Sequence, residues 1–320
     1  MKSAGHAVVT WFWIVFAVAW LPAVEPTVSA KPPAETKTVR LLTIGNSFSQ
    51  DATAYLADLA AADGNTLLLR TANVGGSPLQ LHWEKAQLHE REPNHPDGRY
   101  RDGQPLKAIL LAGPLDFVTI QQRSYISHDV TTYRPYAAQL QAYVKRYAPQ
   151  AELLFHETWA YRSDDPRFQP ADTATVTPGE PRTQREMYTQ LADAYRTIAR
   201  ELGVRRIPVG AAFFAADSDP KWGYQPDKTF DVRRAQPPAL PDQTRSLHVG
   251  LRWQNKGDQR PTLSMDGHHA SPAGRYLGAC VWYEVLFATT CVGNRFLAGL
   301  DADYAHYLQR TAHEAVLNNK

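Results

Sequence analysis

The sequence predicts an α/β protein, a three-layer sandwich in which helices cover both faces of a parallel sheet of about five strands. Short apolar runs rich in branched residues alternate along the chain with longer segments of helical spacing. The first of these runs is continuous, as expected of a strand that is buried on both faces. Right-handed crossovers between parallel strands then place helices on both sides of the sheet.

Five segments have the length and composition of strands, and five longer segments have helical spacing. The predicted strands are residues 39–44, 66–74, 115–121, 152–156 and 206–209. The predicted helices are residues 51–63, 78–92, 133–147, 180–202 and 270–290.

Two long stretches do not fit this alternation, residues 163–181 and 216–261. Long irregular segments inside a compact domain are more often functional than idle. Both would leave the sheet at the edge where ligands bind in open α/β proteins, so we expect them to form walls of a substrate cleft. The alternative is that they are surface insertions.

The first thirty residues have the features of a secretory signal. Lys2 precedes an apolar stretch over residues 7–24, and small residues at 28–30 suit a signal peptidase. We therefore predict a signal peptide at 1–30, a linker at 31–37, one domain at 38–320, and a secreted or periplasmic protein without stable membrane association after cleavage. The apolar stretch is long enough that an uncleaved anchor is the alternative.

Charge and cysteine content narrow the class of protein. The formal charge is +2 and no run is rich in Lys and Arg, so we expect no nucleic-acid partner.

The two cysteines, Cys280 and Cys291, would be separated by about 16 Å of rise on a continuous helix. We expect two buried thiols, and a disulfide only if that helix ends well before Cys291. The sequence gives no indication of oligomeric state.

Ser47 follows the first predicted strand by three residues and precedes the first predicted helix. At such a turn a serine can present its hydroxyl beside the backbone N–H groups of a helix N-terminus. The alternative is that it only caps the helix.

Asp266 and His269 lie just before the last predicted helix, within Asp266-Gly267-His268-His269. A serine hydroxyl is a weak nucleophile unless an imidazole accepts its proton, and a carboxylate orients and stabilises that imidazole. An acid and a histidine three residues apart on one turn can both face a serine from elsewhere. Ser47, Asp266 and His269 are therefore a candidate catalytic triad.

Four motifs follow one another along the chain. They are Gly45-Asn46-Ser47-Phe48-Ser49, the Gly75-Gly76-Ser77 turn, Asp266-x-x-His269 and Gly274-x-Tyr276-Leu277. In identity and order they resemble the motifs of the SGNH (GDSL-type) hydrolases. The chain looks most like a bacterial branch with Gly-Asn-Ser-Phe in place of Gly-Asp-Ser-Leu. The resemblance spans about residues 38–290 and implies a flavodoxin-like sheet and cofactor-free ester hydrolysis by the triad.

The resemblance also implies an oxyanion hole. Its donors would be the backbone N–H groups of Ser47 and Gly76, with Gly75 as the alternative, and one side-chain amide. The family's usual asparagine after the third strand is missing, and either Gln121 or Gln122 would replace it. Such donors are typically worth a few kcal/mol each in the transition state.

His268 is expected to line the cleft because its neighbour His269 faces Ser47, although His268 as the base is the alternative. Asn46 and Trp159 are expected to contact substrate.

We predict no metal and no cofactor, since the remaining histidines form no ligand motif. The aromatic residues near strand ends and in the long loops suggest a sugar ester, although core packing would also explain them. They are Trp83, Trp159, Tyr161, Trp222 and Trp253.

The sequence therefore predicts an exported serine esterase that hydrolyses an acyl ester, most simply an acetyl ester, of a small molecule or polysaccharide. Two alternatives belong to other classes. One is a glycan-binding module that keeps the fold but has lost its oxyanion hole. The other is a metal-dependent phosphoesterase with Asp266, His268 and His269 as ligands.

Overall fold

The central sheet has five parallel strands, as predicted. The computed structural model describes Met1 and residues 36–168, 179–255, 257 and 260–319. The predicted signal peptide beyond Met1, and residues 31–35 of the predicted linker, lie outside this part of the chain. The strands are β1 (Thr38–Gly45), β2 (Thr66–Asn73), β3 (Phe117–Ile120), β4 (Glu152–His156) and β5 (Arg205–Ile207). Their order across the sheet is β2-β1-β3-β4-β5.

The register of the strands brings three loops to one place. Gly45 pairs with Asn73 at the end of β2, and Ile44 pairs with Ile120 at the end of β3. Because β1 lies between β2 and β3, the segments that follow these two strands flank the segment that follows β1. Ser47 therefore lies between the Gly75-Gly76 turn and the Gln121-Gln122 segment.

Helices cover both faces of the sheet and confirm the three-layer prediction. One layer contains α3 to α6, and the other contains α1, α2, α8 and α9, with α7 packed against α8 and α9. Within the described residues, no helix combines the length and the apolar character needed to cross a membrane. The helices are α1 (Ser47–Thr53), α2 (Leu56–Ala62), α3 (Leu79–Arg91), α4 (Leu106–Leu111), α5 (Tyr136–Tyr147), α6 (Gln184–Leu202), α7 (Val209–Asp217), α8 (Pro272–Phe287) and α9 (Ala302–Leu317).

Local sequence explains where the long helices begin and end. The Thr183 hydroxyl accepts the N–H of Glu186 at the start of α6, and Gly203 ends this helix in the left-handed conformation. The helix predicted at 180–202 therefore begins later than expected. The helix predicted at 51–63 is divided into α1 and α2 at Ala54 and Tyr55.

The segment 216–261 is not wholly irregular, contrary to the prediction. It contains β6 (His248–Gln254), which pairs antiparallel with β7 (Thr262–Ala270) in a separate two-stranded sheet. Asp266 and His269 consequently lie on a strand rather than on a turn before a helix. β6 and β7 are consecutive strands joined by residues 255–261, and helical spacing alone gave no indication of this antiparallel pair.

The two cysteines are both buried and free, as expected. The helix that carries Cys280 is shorter than predicted at both ends. Ser271 caps its start with Pro272 in the first turn. At its other end, Ala288 has positive φ and Cys291 follows outside the helix, where its N–H donates to Glu284 Oε1 at 2.8 Å.

Candidate active site

Ser47 is the first residue of α1, and only Asn46 separates it from the end of β1 at Gly45. Asn46 caps this helix, since its Oδ1 accepts the N–H of Phe48 at 3.0 Å. Gly45 is required here because a Cβ atom would lie 2.5 Å from Ser49 Oγ and 2.8 Å from Gln121 Oε1. The sequence around the serine thus determines a tight strand-to-helix turn that exposes the Ser47 hydroxyl.

The structure brings Ser47, His269 and Asp266 together across 222 positions of sequence. His269 Nε2 lies 3.0 Å from Ser47 Oγ. On its other side, His269 Nδ1 lies 3.0 Å from Asp266 Oδ1 and 3.1 Å from Oδ2. Asp266 Oδ1 also accepts the backbone N–H of His269 at 3.2 Å. These are the distances and the order of contacts that the predicted triad requires.

The hydrogen bond between His269 and Asp266 shifts the pKa values of both groups. That bond raises the pKa of the His269 imidazole, although partial burial opposes the rise. Burial alone would raise the pKa of the Asp266 carboxyl, but hydrogen bonds from the side chain and backbone of His269 hold this pKa well below its usual range. Asp266 is therefore an anion at neutral pH and favours the charged imidazole.

Three side chains outside the triad hold the β7 strand in place. Asp51 on α1 accepts the backbone N–H of Ala270 at 2.9 Å and forms an ion pair with Arg275 at 2.9 Å. The Trp159 indole donates to the carbonyl of His268 at 2.9 Å. Arg252 on β6 donates to Asp266 Oδ2 at 3.2 Å. Sequence patterns gave no indication of Asp51 or Arg252, because their partners are distant in the chain.

Trp159 was predicted to contact substrate, and this prediction is wrong. Its side chain is fully buried and packs between Phe48 and Phe213, with ring centroids 4.3 Å and 4.5 Å away. An indole in this position cannot stack on a sugar in the crevice. It supports the backbone beside His269 instead.

A crevice of about 500 Å³ opens above Ser47. The predicted residues Asn46, Gly76, His268 and His269 line it, as do Asp165, Pro166 and Arg167 from the predicted wall at 163–181. Residues 169–178 of that wall lie outside the described residues. Among the aromatic residues singled out from the sequence, Tyr161 lines this crevice. A larger cavity of about 840 Å³ between the carboxyl ends of α6, α8 and α9 contains none of the predicted site residues.

Gly76 is positioned as a backbone donor. It lines the crevice with φ of +64°, a conformation that favours glycine. The following residue holds the turn, because the Ser77 carbonyl accepts Asn46 Nδ2 at 3.0 Å and the Ser77 hydroxyl contacts His82 at 2.8 Å. Gly75 does not line the crevice. Neither Ser47 nor Gly76 donates its N–H to an acceptor within the described chain.

The two glutamines predicted to supply a side-chain donor are turned away from the crevice. Gln121 Nε2 donates to Asn46 Oδ1 at 2.7 Å, and Gln121 Oε1 accepts from His156 Nδ1 at 3.0 Å. Gln122 donates to the carbonyl of Thr132 at 2.8 Å and to its hydroxyl at 3.1 Å. Both side chains are buried, and neither lines the crevice. The expectation of a glutamine donor therefore disagrees with this arrangement, because nearer polar groups occupy both amides.

His268 lies beside the triad and does not contact Ser47. Its ring centroid is 4.2 Å from that of His269, and its Nδ1 is 3.4 Å from Asp266 Oδ1. Burial and the charge of His269 lower the pKa of the His268 imidazole. Ligand atoms of Asp266, His268 and His269 all lie within 4.8 Å of one another, which is close enough for a shared cation.

The chain matches the profile of a domain of unknown function, DUF4886, over residues 40–218. Among solved structures it is similar to a DUF4886 family protein from Bacteroides uniformis, with 25% identity over 88% of this chain and 96% of that one and a TM-score of 0.65. It is also similar to a protein from Slackia heliotrinireducens proposed to be an SGNH hydrolase, with 22% identity, coverage of 77% and 98%, and a TM-score of 0.45.

A third similar structure is phospholipase A1 from Streptomyces albidoflavus, with 13% identity, coverage of 78% of this chain and 98% of that one, and a TM-score of 0.39. No curated protein matches the chain. Since the family profile covers more than half of the sequence, the protein belongs to the DUF4886 family.

Proposed function

We propose that this protein is a serine esterase of the SGNH type. The observation that supports this most directly is the chain of contacts from Ser47 Oγ to His269 Nε2 at 3.0 Å and from His269 Nδ1 to Asp266 Oδ1 at 3.0 Å. This arrangement can activate a hydroxyl at neutral pH without a cofactor.

In the proposed reaction, Ser47 Oγ attacks the carbonyl carbon of an ester while His269 Nε2 accepts the hydroxyl proton. Asp266 accepts a hydrogen bond from the Nδ1–H of His269 and stabilises the imidazolium. The leaving alcohol then takes the proton from Nε2, and an acyl group remains on Ser47. A water molecule, deprotonated by the same imidazole, releases the acid and restores the serine.

The developing oxyanion needs hydrogen-bond donors beside Ser47. The backbone N–H groups of Ser47 and Gly76 are the two candidates, since both residues line the crevice and neither group has another acceptor among the described residues. Removing one such donor typically costs a few kcal/mol of transition-state stabilisation.

The lining of the crevice combines polar and apolar groups. Its ionisable side chains are those of Arg123, Tyr125, Tyr161, Asp165, Arg167, His268 and His269, and Phe48, Pro166 and Met265 add apolar surface. We propose a short acyl group, with acetyl as the simplest case, on a sugar hydroxyl. The predicted signal peptide extends the proposal to an exported enzyme that acts in the periplasm or outside the cell.

Replacing Ser47 by Ala tests the proposed nucleophile. Hydrolysis of 4-nitrophenyl acetate should fall at least about 10³-fold, and labelling by a fluorophosphonate should disappear. Ser218→Ala is a matched control, because Ser218 is exposed at the end of α7 and far from the triad in sequence. Full activity of Ser47→Ala would overturn the proposal. Sugar binding without labelling of the wild-type protein would support the glycan-binding alternative.

A metal-dependent phosphoesterase is a second candidate, favoured by the close approach of ligand atoms from Asp266, His268 and His269. This alternative predicts that a chelator abolishes hydrolysis of bis(4-nitrophenyl) phosphate and that His268→Ala is as damaging as His269→Ala. A triad esterase predicts no effect of the chelator on ester hydrolysis.

A further inference from the structure

Arg123 carries a charge that no other described residue neutralises. Its backbone N–H donates to Gln122 Oε1 at 2.9 Å. Its guanidinium group has neither a hydrogen bond nor an ion pair within the described chain, and the residue is exposed. An unpaired guanidinium is common on a protein surface, so its position decides whether it has a role.

The topology of the sheet places this cation beside the candidate nucleophile. Arg123 is the third residue after β3, and β3 is the neighbour of β1 on the side opposite β2. Arg123 therefore flanks Ser47 from one side, as Gly76 does from the other. All three residues line the same crevice.

The ring of Tyr125 lies against two arginine side chains that line the crevice, those of Arg123 and Arg167. The guanidinium carbon of Arg123 lies 5.7 Å from the centroid of the Tyr125 ring, and that of Arg167 lies 3.9 Å from it. Arg167 is tied down, because it donates to the Tyr125 carbonyl at 2.9 Å and to Glu180 at 2.6 Å. The charge of Arg167 is thus balanced by Glu180, whereas the charge of Arg123 remains available.

The acidic residue that lines the crevice does not neutralise Arg123. Asp165 forms no ion pair with Arg123, and its Oδ1 accepts the backbone N–H of Arg167 at 2.9 Å. The side chain of Asp165 borders Gly267, because a Cβ atom on Gly267 would meet Asp165 Oδ2 at 2.2 Å. The crevice therefore has an acidic side next to β7 and a cationic side next to β3.

From this arrangement we infer that the physiological substrate carries a carboxylate close to the ester, and that Arg123 binds it. Guanidinium groups form paired, charge-assisted hydrogen bonds with carboxylates. The corresponding substrate class is an acetylated acidic sugar such as a uronic acid. This inference rests on the proposed esterase function and assigns a specificity-determining role to Arg123.

The test compares two substrates that differ only at one carbon. One is an acetylated methyl glucuronoside, and the other is the matched acetylated methyl glucoside, which has a hydroxymethyl group in place of the carboxylate. The wild-type protein should prefer the acidic ester by about tenfold or more in kcat/KM. Arg123→Gln should remove most of this preference, and Arg123→Lys should retain part of it because the charge is kept.

Arg101→Gln is the matched control, since Arg101 is also exposed, belongs to a loop and does not line the crevice. It should keep the wild-type preference. Circular dichroism melting of each variant checks that the fold is retained. An equal loss on both substrates in Arg123→Gln would overturn the inference, because the guanidinium would then act on a group that the substrates share. No preference in the wild-type protein would also overturn it.

A binding measurement separates this inference from the esterase proposal. Calorimetric titration of the Ser47→Ala variant with the two unhydrolysed esters reports recognition without chemistry. Tighter binding of the acidic ester, lost in the Ser47→Ala/Arg123→Gln double variant, supports the role of Arg123 even if the wild-type protein hydrolyses neither ester. Equal binding of both esters contradicts that role whatever the hydrolytic activity.

Discussion

The two sides of the candidate triad are held in different ways. Ser47 is fixed by its own neighbours in sequence, since Gly45 ends a central strand and Asn46 caps the helix that Ser47 begins. Asp266 and His269 lie on β7, in a two-stranded sheet outside the central one. Side-chain contacts from Asp51 and Trp159 attach that strand to the core, and Arg252 on the neighbouring strand β6 contacts Asp266.

Substitutions far from the site should therefore affect the two sides of the triad differently. The nucleophile side is specified locally and should tolerate changes in distant parts of the chain. The acid–base side depends on single long-range hydrogen bonds, so one substitution far from the chemistry can displace the imidazole. Misplacement by about 1 Å can reduce a rate about a hundredfold.

The largest expected effect separates the two adjacent histidines. His269→Ala should lower kcat/KM for 4-nitrophenyl acetate at least about 10³-fold, because it removes the group 3.0 Å from Ser47 Oγ. His268→Ala should change it by less than about tenfold, since His268 does not contact the serine. Steady-state kinetics of the two variants makes the comparison. Equal losses would contradict the assignment of His269 alone as the base.

A smaller effect is expected when the hydrogen bond between Asp51 on α1 and Ala270 on β7 is removed. Asp51→Ala leaves the Ala270 N–H and the Arg275 guanidinium without this partner and should destabilise the fold by about 2 kcal/mol. Because β7 loses an anchor on α1, kcat should also fall. Asp58→Ala, at an exposed position on α2, is the control and should lie within about 0.5 kcal/mol of wild type.

Thermal and urea unfolding measure the stability change, and esterase assays measure the activity. A variant that is destabilised but keeps full kcat at low temperature would show that the anchor serves the fold and not the imidazole. Unchanged stability would show that β7 is held without Asp51.

The smallest effect concerns the pH dependence of the reaction. The base must be neutral in the free enzyme, so kcat/KM should fall as the pH falls through the pKa of His269. The hydrogen bond that His269 donates to Asp266 raises this pKa, so the midpoint should lie above 6.5. The positive charge of Arg252 opposes that rise. Arg252→Gln should therefore move the acidic limb of the profile to slightly higher pH.

A shift of the limb to lower pH in Arg252→Gln would contradict this account of the charges. If the acidic limb of the pH profile stays in place while kcat falls, Arg252 orients Asp266 without changing the pKa of the His269 imidazole. Arg40→Gln is a suitable control, because Arg40 lies at the start of β1 and pairs with Asp116.

The sequence by itself determined the sheet, most of the covering helices and the identities of the three converging residues. Strand and helix periodicity are local properties, and the Gly45-Asn46-Ser47 turn follows from its own residues. The split of the helix predicted at 51–63 and the end of α8 at Phe287 depend on contacts that local spacing does not reveal.

Only the tertiary structure decided where the side chains around the triad point. Either Gln121 or Gln122 was predicted to face the crevice, but partners distant in sequence, including Asn46 and Leu79, occupy the amide groups of both. Trp159 was predicted to contact substrate, but aromatic neighbours from α1 and α7 enclose it. A buried polar or aromatic side chain turns toward whichever partner satisfies it, and that partner is known only once the elements have packed.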